Sequence, residues 1–98
     1  MRQITQKAVE AMLNGTFYCK SNTKVVNRTM YLFGNKIAWI TENYILYISN
    51  CGYRTATTKE RLNGLPLVSI KQKDFDWFLN GQYWGGFPTK IGSVVDFI

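Results

Sequence analysis

The sequence contains no histidine, and this absence removes several chemistries at once. Histidine is the most common general base near neutral pH and the most common metal ligand in proteins. A Ser-His or Cys-His nucleophile therefore cannot form within one copy of the chain. Zinc is also disfavoured, because only Cys19 and Cys51 remain as strong ligands for it. We accordingly expect a protein that is not an enzyme and that uses no metal ion or cofactor.

Cysteine is also scarce, with Cys19 and Cys51 as the only two. Two separated cysteines form neither a disulfide framework nor a CxxC motif, so we expect reduced thiols that pack as small hydrophobic side chains. Walker A and GxGxxG patterns are missing as well. Asp74 and Asp76 could present two carboxylates to Mg²⁺, but a short acidic pair is more typical of a turn.

Long apolar runs are absent, since no stretch approaches the ~18–20 residues that a membrane-spanning helix needs. The first residues are polar and carry no export signal, which predicts a cytoplasmic protein. With 98 residues, of which 46% are hydrophobic, we expect a single domain over residues 1–98. A second domain could not bury a core of its own.

Acidic residues are few, six against twelve basic ones, and the net charge is +6. Such a surplus favours a polyanionic partner, most often nucleic acid. The same charge also serves solubility, and the basic residues are scattered rather than gathered in a block. Charge alone therefore indicates a class of partner without locating a site.

Hydrophobic spacing predicts a helix followed by strands. Apolar residues recur at helical intervals over Ile4–Leu13, and Asn14-Gly15 supplies a helix stop. The period then changes to two, which predicts strands over Thr29–Phe33, Lys36–Ile40 and Tyr44–Ile48. Gly34-Asn35 is interpreted as the first hairpin turn, so these strands form a three-stranded antiparallel meander.

A short second helix is predicted over Thr57–Asn63. Thr57 and Glu60 fit the capping box, in which each side chain bonds to the other residue's backbone amide. Asn63-Gly64 and Pro66 end the helix, because glycine tolerates a left-handed backbone and proline cannot continue the hydrogen-bond ladder.

The C-terminal third is predicted to form hairpins. Strands are expected over Leu67–Gln72, Trp77–Leu79 and Gln82–Trp84, the last two joined by an Asn80-Gly81 turn. Val94–Ile98 would form a last short strand or a docked tail. Strands that follow as sequential hairpins predict an α+β fold with an antiparallel sheet.

Two groups of residues are candidates for binding. Free amides and the helix dipole at the start of the second helix attract anions, although Glu60 could occupy those amides as the capping partner. The polyanion-binding candidates are Arg54, Thr55, Thr58, Lys59 and Arg61. Aromatic residues could stack nucleobases, anchor a protein interface or fill the core. The aromatic contact candidates are Tyr53, Tyr83, Trp84 and Phe87.

The run Ile48–Leu65, ISNCGYRTATTKERLNGL, resembles a motif of a family of small bacteriophage proteins of unknown function. Ile4–Ala8, Leu32–Asn35 and Trp77–Gly81 are similar to the same family, so the resemblance covers nearly the whole chain. It implies a phage-encoded single domain made in the cytoplasm of the infected bacterium. The resemblance assigns no catalytic or binding residues to this chain.

These observations predict a small non-enzymatic protein that binds nucleic acid or another polyanion through the basic start of its second helix. The alternatives are a protein-binding inhibitor of a host or antiviral-defence factor, anchored by the aromatic residues, and a nucleotide-signal sponge with a pocket at that helix. A homodimer is compatible with unpaired sheet edges.

Overall fold

The computed structural model describes residues 2–98, and the chain begins with helix α1, Gln3–Asn14. Ala8, Ala11 and Met12 lie on one face of α1 and are buried. The helix ends at Gly15, whose left-handed backbone (φ 71°) lets its N–H donate to the carbonyl of Ala11. The predicted first helix and its stop are therefore confirmed.

Nine strands and one further α-helix follow α1. Their bounds are β1 Tyr18–Lys20, β2 Thr23–Val26, β3 Thr29–Leu32, β4 Asn35–Ile40, β5 Ile45–Ile48, α2 Ala56–Asn63, β6 Ile70–Lys73, β7 Asp76–Leu79, β8 Gln82–Tyr83 and β9 Thr89–Ser93. Strands β1 to β5 are paired in chain order, each antiparallel to the next, and β9 pairs with β5 to complete a six-stranded sheet. Strands β6, β7 and β8 form a separate three-stranded antiparallel sheet.

The predicted α+β architecture is confirmed. The expected three-stranded meander is the middle of the larger sheet, β3 to β5, while β1, β2 and β9 extend it on both sides. For Val94–Ile98 the expectation was a short strand or a docked tail, and the strand alternative is wrong. The last strand ends at Ser93, Val94 is buried, and Val95–Phe97 forms a single 3₁₀ turn.

Two-residue turns connect several of the strands. Asn80-Gly81 has positive φ at both residues, 50° and 89°, as predicted for the β7–β8 hairpin. The β3–β4 turn is Phe33-Gly34, with φ of 51° and 81°, and Asn35 already belongs to β4. The prediction of Gly34-Asn35 was therefore wrong by one residue, because an aromatic residue occupies a turn position that usually takes Asn or Gly.

The start of α2 differs from the predicted capping box. Thr55 is the N-cap, and its hydroxyl oxygen accepts a hydrogen bond of 3.1 Å from the backbone N–H of Thr58. The Glu60 carboxylate accepts instead from the hydroxyl of Thr5 and from Arg61. Thr57 is therefore not the cap, because Glu60 is engaged by α1 rather than by the start of its own helix.

The core is one cluster that joins one face of the six-stranded sheet, the two helices and the small sheet, which contributes Trp77 and Leu79. Ala8 and Met12 from α1 pack with Val25 and Met30 from the sheet, and Leu62 brings in α2. The inward residues of neighbouring strands are direct register partners, for example Val25 with Met30. The opposite face of this sheet therefore carries every side chain that alternates with the core positions.

Candidate nucleic-acid interface

Arg61 is part of the interior rather than of the surface. Its side chain is 1% exposed, Nε donates to the hydroxyl of Thr23 at 3.0 Å, and Nη1 donates to the hydroxyl of Thr5 at 2.9 Å. Nη1 also pairs with the Glu60 carboxylate. The guanidinium therefore joins α2 to α1 and β2, and the expectation that it lies on the surface for a phosphate is wrong.

The other polyanion candidates are also engaged within the fold. Thr58 is buried, and its hydroxyl lies 3.0 Å from that of Thr55. Arg54 donates to the carbonyl of Phe75 and lies 3.9 Å from the Asp76 carboxylate. In a third case, Lys59 Nζ donates to Gln72 Oε1 at 3.1 Å. Arg54 and Lys59 thus reach toward the small sheet, and the five residues do not form one open cluster.

The aromatic candidates divide into one buried and three exposed residues. Trp84 is 3% exposed, and its indole N–H donates to Thr89 Oγ1 at 2.8 Å and to the Phe87 carbonyl at 3.2 Å. The expectation that Trp84 anchors a partner or stacks on a base is therefore wrong in this fold. Tyr53, Tyr83 and Phe87 are exposed.

The two cysteines also differ from expectation. Cys19 and Cys51 are free thiols, as predicted, but both are exposed rather than packed as small hydrophobic side chains. Cys19 lies on β1, at the edge of the six-stranded sheet. Its register partner is Lys24 of β2, which faces away from the core.

The outward face of the six-stranded sheet brings lysine and aromatic side chains together. Tyr31 is the register partner of Lys24 on one side and of Lys36 on the other. Directly opposed residues of antiparallel strands share a face, so the three form one row. A second row runs across the same face, because Trp39 pairs with Tyr47 and Tyr47 pairs with Lys90. We call these six residues the open face: Lys24, Tyr31, Lys36, Trp39, Tyr47 and Lys90.

The rings of the open face are arranged in contact with cations. Trp39 and Tyr47 are stacked, with centroids 5.7 Å apart and ring planes 2° from parallel. Lys36 Nζ lies 4.3 Å from the Trp39 ring centroid, and Lys24 Nζ lies 5.7 Å from that of Tyr31. Both distances fall within the range of a cation–π interaction. The aromatic faces are thus covered by flexible, charged side chains rather than by packed apolar ones.

The charged side chains of the open face are all positive. The six acidic residues of the chain are Glu10, Glu42, Glu60, Asp74, Asp76 and Asp96, and none of them lies in a strand of the six-stranded sheet. Neither of the two ion pairs within residues 2–98 involves a lysine of the open face. Lys24, Lys36 and Lys90 therefore present uncompensated charge beside the rings.

Sequence reasoning missed the open face because it depends on strand register. The pattern of alternation predicted that Tyr31 and Trp39 lie on strands, but not that a β-bulge between β3 and β4 places Lys36 opposite Tyr31. Lys24 and Lys90 lie on β2 and β9, which were not predicted as strands of this sheet. The available signal was the Lys-x-x-Trp spacing on β4 together with the lack of acidic residues between Lys24 and Thr41.

The model of the family described as Kyanoviridae Gp96 protein matches residues 1–95, and the chain belongs to that family. This is a family of bacteriophage proteins, which confirms the phage resemblance seen in the sequence. No curated protein and no solved structure gives a significant match.

No helix within residues 2–98 is both long enough and apolar enough to span a bilayer. The same residues contain no group of three or more cysteine, aspartate or glutamate side chains placed to hold a metal ion. Asp74 lies in the β6–β7 turn with φ 52°, which fits the turn interpretation of the acidic pair.

Proposed function

We propose that this protein binds single-stranded nucleic acid on the open face of its six-stranded sheet. The observation that carries the proposal is the combination of three lysines and three aromatic rings on one sheet face, with no carboxylate in the strands of that sheet. Aromatic side chains that stack on bases, set in a basic groove, are the recurring means of binding single strands.

The cation–π contacts suggest how the face would work. Lys36 has no acidic partner among residues 2–98 and rests on the Trp39 ring. A phosphate would attract the Lys36 ammonium, and its movement would free the ring for a base. Lys24 and Tyr31 form a second pair of the same kind. Each pair would therefore bind one nucleotide unit, with the lysine on the phosphate and the ring on the base.

The rings favour a single strand over a duplex. Bases in a duplex are already stacked on their neighbours, so side chains on a sheet reach only their edges and the phosphates. Unpaired bases expose their faces, and stacking of one base on an aromatic side chain contributes about 1–3 kcal/mol. We therefore expect single strands to bind the open face more tightly than a duplex of the same sequence.

The test is fluorescence anisotropy with labelled single-stranded DNA, single-stranded RNA and duplex DNA. With three lysines on phosphates, the slope of log K against log salt is about −2. Affinity should then fall about 15–20-fold between about 50 mM and about 200 mM salt. Trp39→Ala should weaken single-strand binding about 5–150-fold, and it should affect duplex binding far less.

Two matched triple variants distinguish an effect of the open face from an effect of the net charge of the protein. Lys24→Gln/Lys36→Gln/Lys90→Gln should abolish binding and its salt dependence, since it removes all three phosphate contacts. The control Lys7→Gln/Lys71→Gln/Lys73→Gln removes the same charge from exposed positions elsewhere and should keep both. Equal loss in the two triple variants, or no binding of any oligonucleotide at low salt, contradicts the proposal.

A third variant tests the site first suggested by the sequence. Arg54→Gln/Lys59→Gln removes the two basic residues that remain accessible at the start of α2. We expect it to bind single strands like the wild type. If it alone loses binding, the polyanion site is at α2 and the open face is not the interface. In either case we propose that binding takes place in the cytoplasm of the infected bacterium.

A further inference from the structure

The residues of the open face are spread over five neighbouring strands rather than gathered along one. In the spatial order of the sheet they are Lys24 on β2, Tyr31 on β3, Lys36 and Trp39 on β4, Tyr47 on β5 and Lys90 on β9. Each strand in turn therefore adds a cation, a ring or both. A lysine stands at each end of the series, and the three rings lie between these two lysines.

The other outward positions on the same strands offer a nucleic acid much less. The second outward residue is Val26 on β2, Thr29 on β3 and Ile45 on β5. Among the strands described within residues 2–98, only β4 places both a lysine and a ring on the open face. A single strand of nucleic acid that lies along one β-strand would therefore meet at most one ring and one lysine. One that lies across the β-strands would meet every residue of the open face.

The spacing of the β-strands limits how much nucleic acid this series can hold. Neighbouring strands of a sheet lie ~4.8 Å apart, so the backbones of β2 and β9, four intervals apart in the sheet, are separated by about 19 Å. Nucleotides stacked as in a duplex advance ~3.4 Å each, so about six of them cover that distance. Fewer nucleotides are needed where bases spread apart to reach the rings.

Trp39 and Tyr47 provide one stacking platform rather than two. Their ring centroids are 5.7 Å apart and the ring planes are nearly parallel. A base inserted between them would need about 6.8 Å, which is twice the ~3.4 Å separation of stacked rings. A base therefore stacks against this pair from outside. Tyr31 on the adjacent strand β3 provides a second platform, so at least two bases are held in succession across the sheet.

From this arrangement we infer that the open face binds its single strand crosswise, from β2 to β9, and that about six unpaired nucleotides fill it. The inference rests on the proposed function and adds to it the direction and the length of the ligand. The two ends of the bound segment leave the sheet at opposite edges. One end lies beyond Lys24 at β1, where Cys19 is the register partner of that lysine, and the other lies beyond Lys90 at β9.

The length is tested with oligothymidylates, from the dinucleotide to the decanucleotide, in the anisotropy assay. Affinity should rise about fivefold or more for each nucleotide whose base gains a stacking platform. Beyond about six nucleotides the gain per added nucleotide should fall below about twofold, because no further ring or lysine is reached. Lys90→Gln should weaken binding of the hexanucleotide and reduce the magnitude of its salt slope by about 0.7. The control Lys71→Gln on the small sheet should change neither.

The direction is tested by NMR with a hexathymidylate that carries a nitroxide at one end or at the other. A crosswise strand has its ends at the two sheet edges, so the labels should broaden the amide resonances of Lys20 on β1 and of Ile91 on β9. A strand that lies along the β-strands would instead broaden Gly34 in the β3–β4 turn and Asn43 in the β4–β5 turn. The amide of Lys7 on α1, on the other side of the core, should stay sharp and is the internal control.

Several outcomes would overturn the inference. Broadening of Gly34 and Asn43 without that of Lys20 and Ile91 would contradict the crosswise direction. A dinucleotide that binds as tightly as the hexanucleotide, or an affinity that rises by an equal factor per nucleotide up to the decanucleotide, would contradict the length.

The proposed function fails separately, through the absence of oligonucleotide binding by the wild type or its persistence without the three lysines of the open face. Broadening at the turns, in a complex that still requires those lysines, would therefore refute only the crosswise path.

Discussion

Replacement of Arg61 tests most directly whether this residue belongs to the interior of the fold or to a phosphate-binding surface. The guanidinium is buried, hydrogen-bonded to the hydroxyls of Thr5 and Thr23, and paired with Glu60. Arg61→Ala removes all of these contacts and leaves two buried threonine hydroxyls without their donor. Breaking a fully buried pair by removing one partner costs about 3–5 kcal/mol. Because the Glu60 side chain is 29% exposed, we expect the low end of that range, about 3 kcal/mol. A domain of this size has a total stability of about 5–15 kcal/mol, so the variant should be near its folding limit.

The measurement is urea unfolding followed by tryptophan fluorescence, because Trp77 and Trp84 are buried and report loss of the core. At roughly 4–8 °C per kcal/mol, the thermal midpoint should also fall by about 12 °C or more. Arg61→Met retains most of the apolar stem and should lose less, which separates packing from hydrogen bonding. The control is Lys59→Ala on the same helix, which should change the free energy of unfolding by less than about 0.5 kcal/mol.

A loss below about 1 kcal/mol for Arg61→Ala would refute this reasoning, because surface substitutions have effects of that size. It would mean that the arginine reaches solvent and can contact a phosphate, as the sequence first suggested. A large loss of stability in Arg61→Ala, with wild-type stability in Lys59→Ala, would confirm that Arg61 stabilises the fold and that Lys59 does not.

Two further predictions follow from close packing and from exposure. Gly86→Ala should lower the free energy of unfolding by about 2–4 kcal/mol, since a Cβ there would lie 2.0 Å from Asn50 Nδ2 on a backbone with φ 96°. Gly85→Ala, whose Cβ would meet no atom closer than 3.7 Å, is the matched control in the same denaturation assay. Cys19 and Cys51 should both react with Ellman's reagent in the folded protein, because both are exposed thiols. A thiol that reacts only after denaturation would contradict this placement.

The sequence predicted correctly those elements that are specified by residues close to one another in the chain. The helix stop at Gly15 and the Asn80-Gly81 turn were predicted correctly, because each depends on a backbone conformation that few residue types adopt. The Phe33-Gly34 turn was misplaced for the same reason, since Phe33 adopts a conformation that its residue type disfavours. The α2 cap was misassigned because Thr55 and Thr57 are both good caps, and a contact with Thr5 decides between them.

The candidate site depended on contacts between distant parts of the chain. The two threonine partners of Arg61, Thr23 and Thr5, lie 38 and 56 positions away in sequence, so its burial has no local signature. The open face likewise requires the register of five strands, including a β-bulge that reverses which residues of β4 face outward. A basic and aromatic composition predicted a polyanionic partner, but the surface that we propose for it follows only from the pairing of strands.

The pairing of β9 with β5 has a consequence for the order of folding. Ile48 is the register partner of Thr89, so the whole segment from 49 to 88 leaves the large sheet and returns beside its point of departure. The hairpins from β1 to β5 can form by local search, whereas β9 must close a long loop before it gains any contact. We therefore expect the large sheet to be assembled from its N-terminal side first. Strand β9 would then pair with β5 only after α2 and the small sheet have folded back. Formation of this edge strand would therefore indicate that the rest of the molecule has folded.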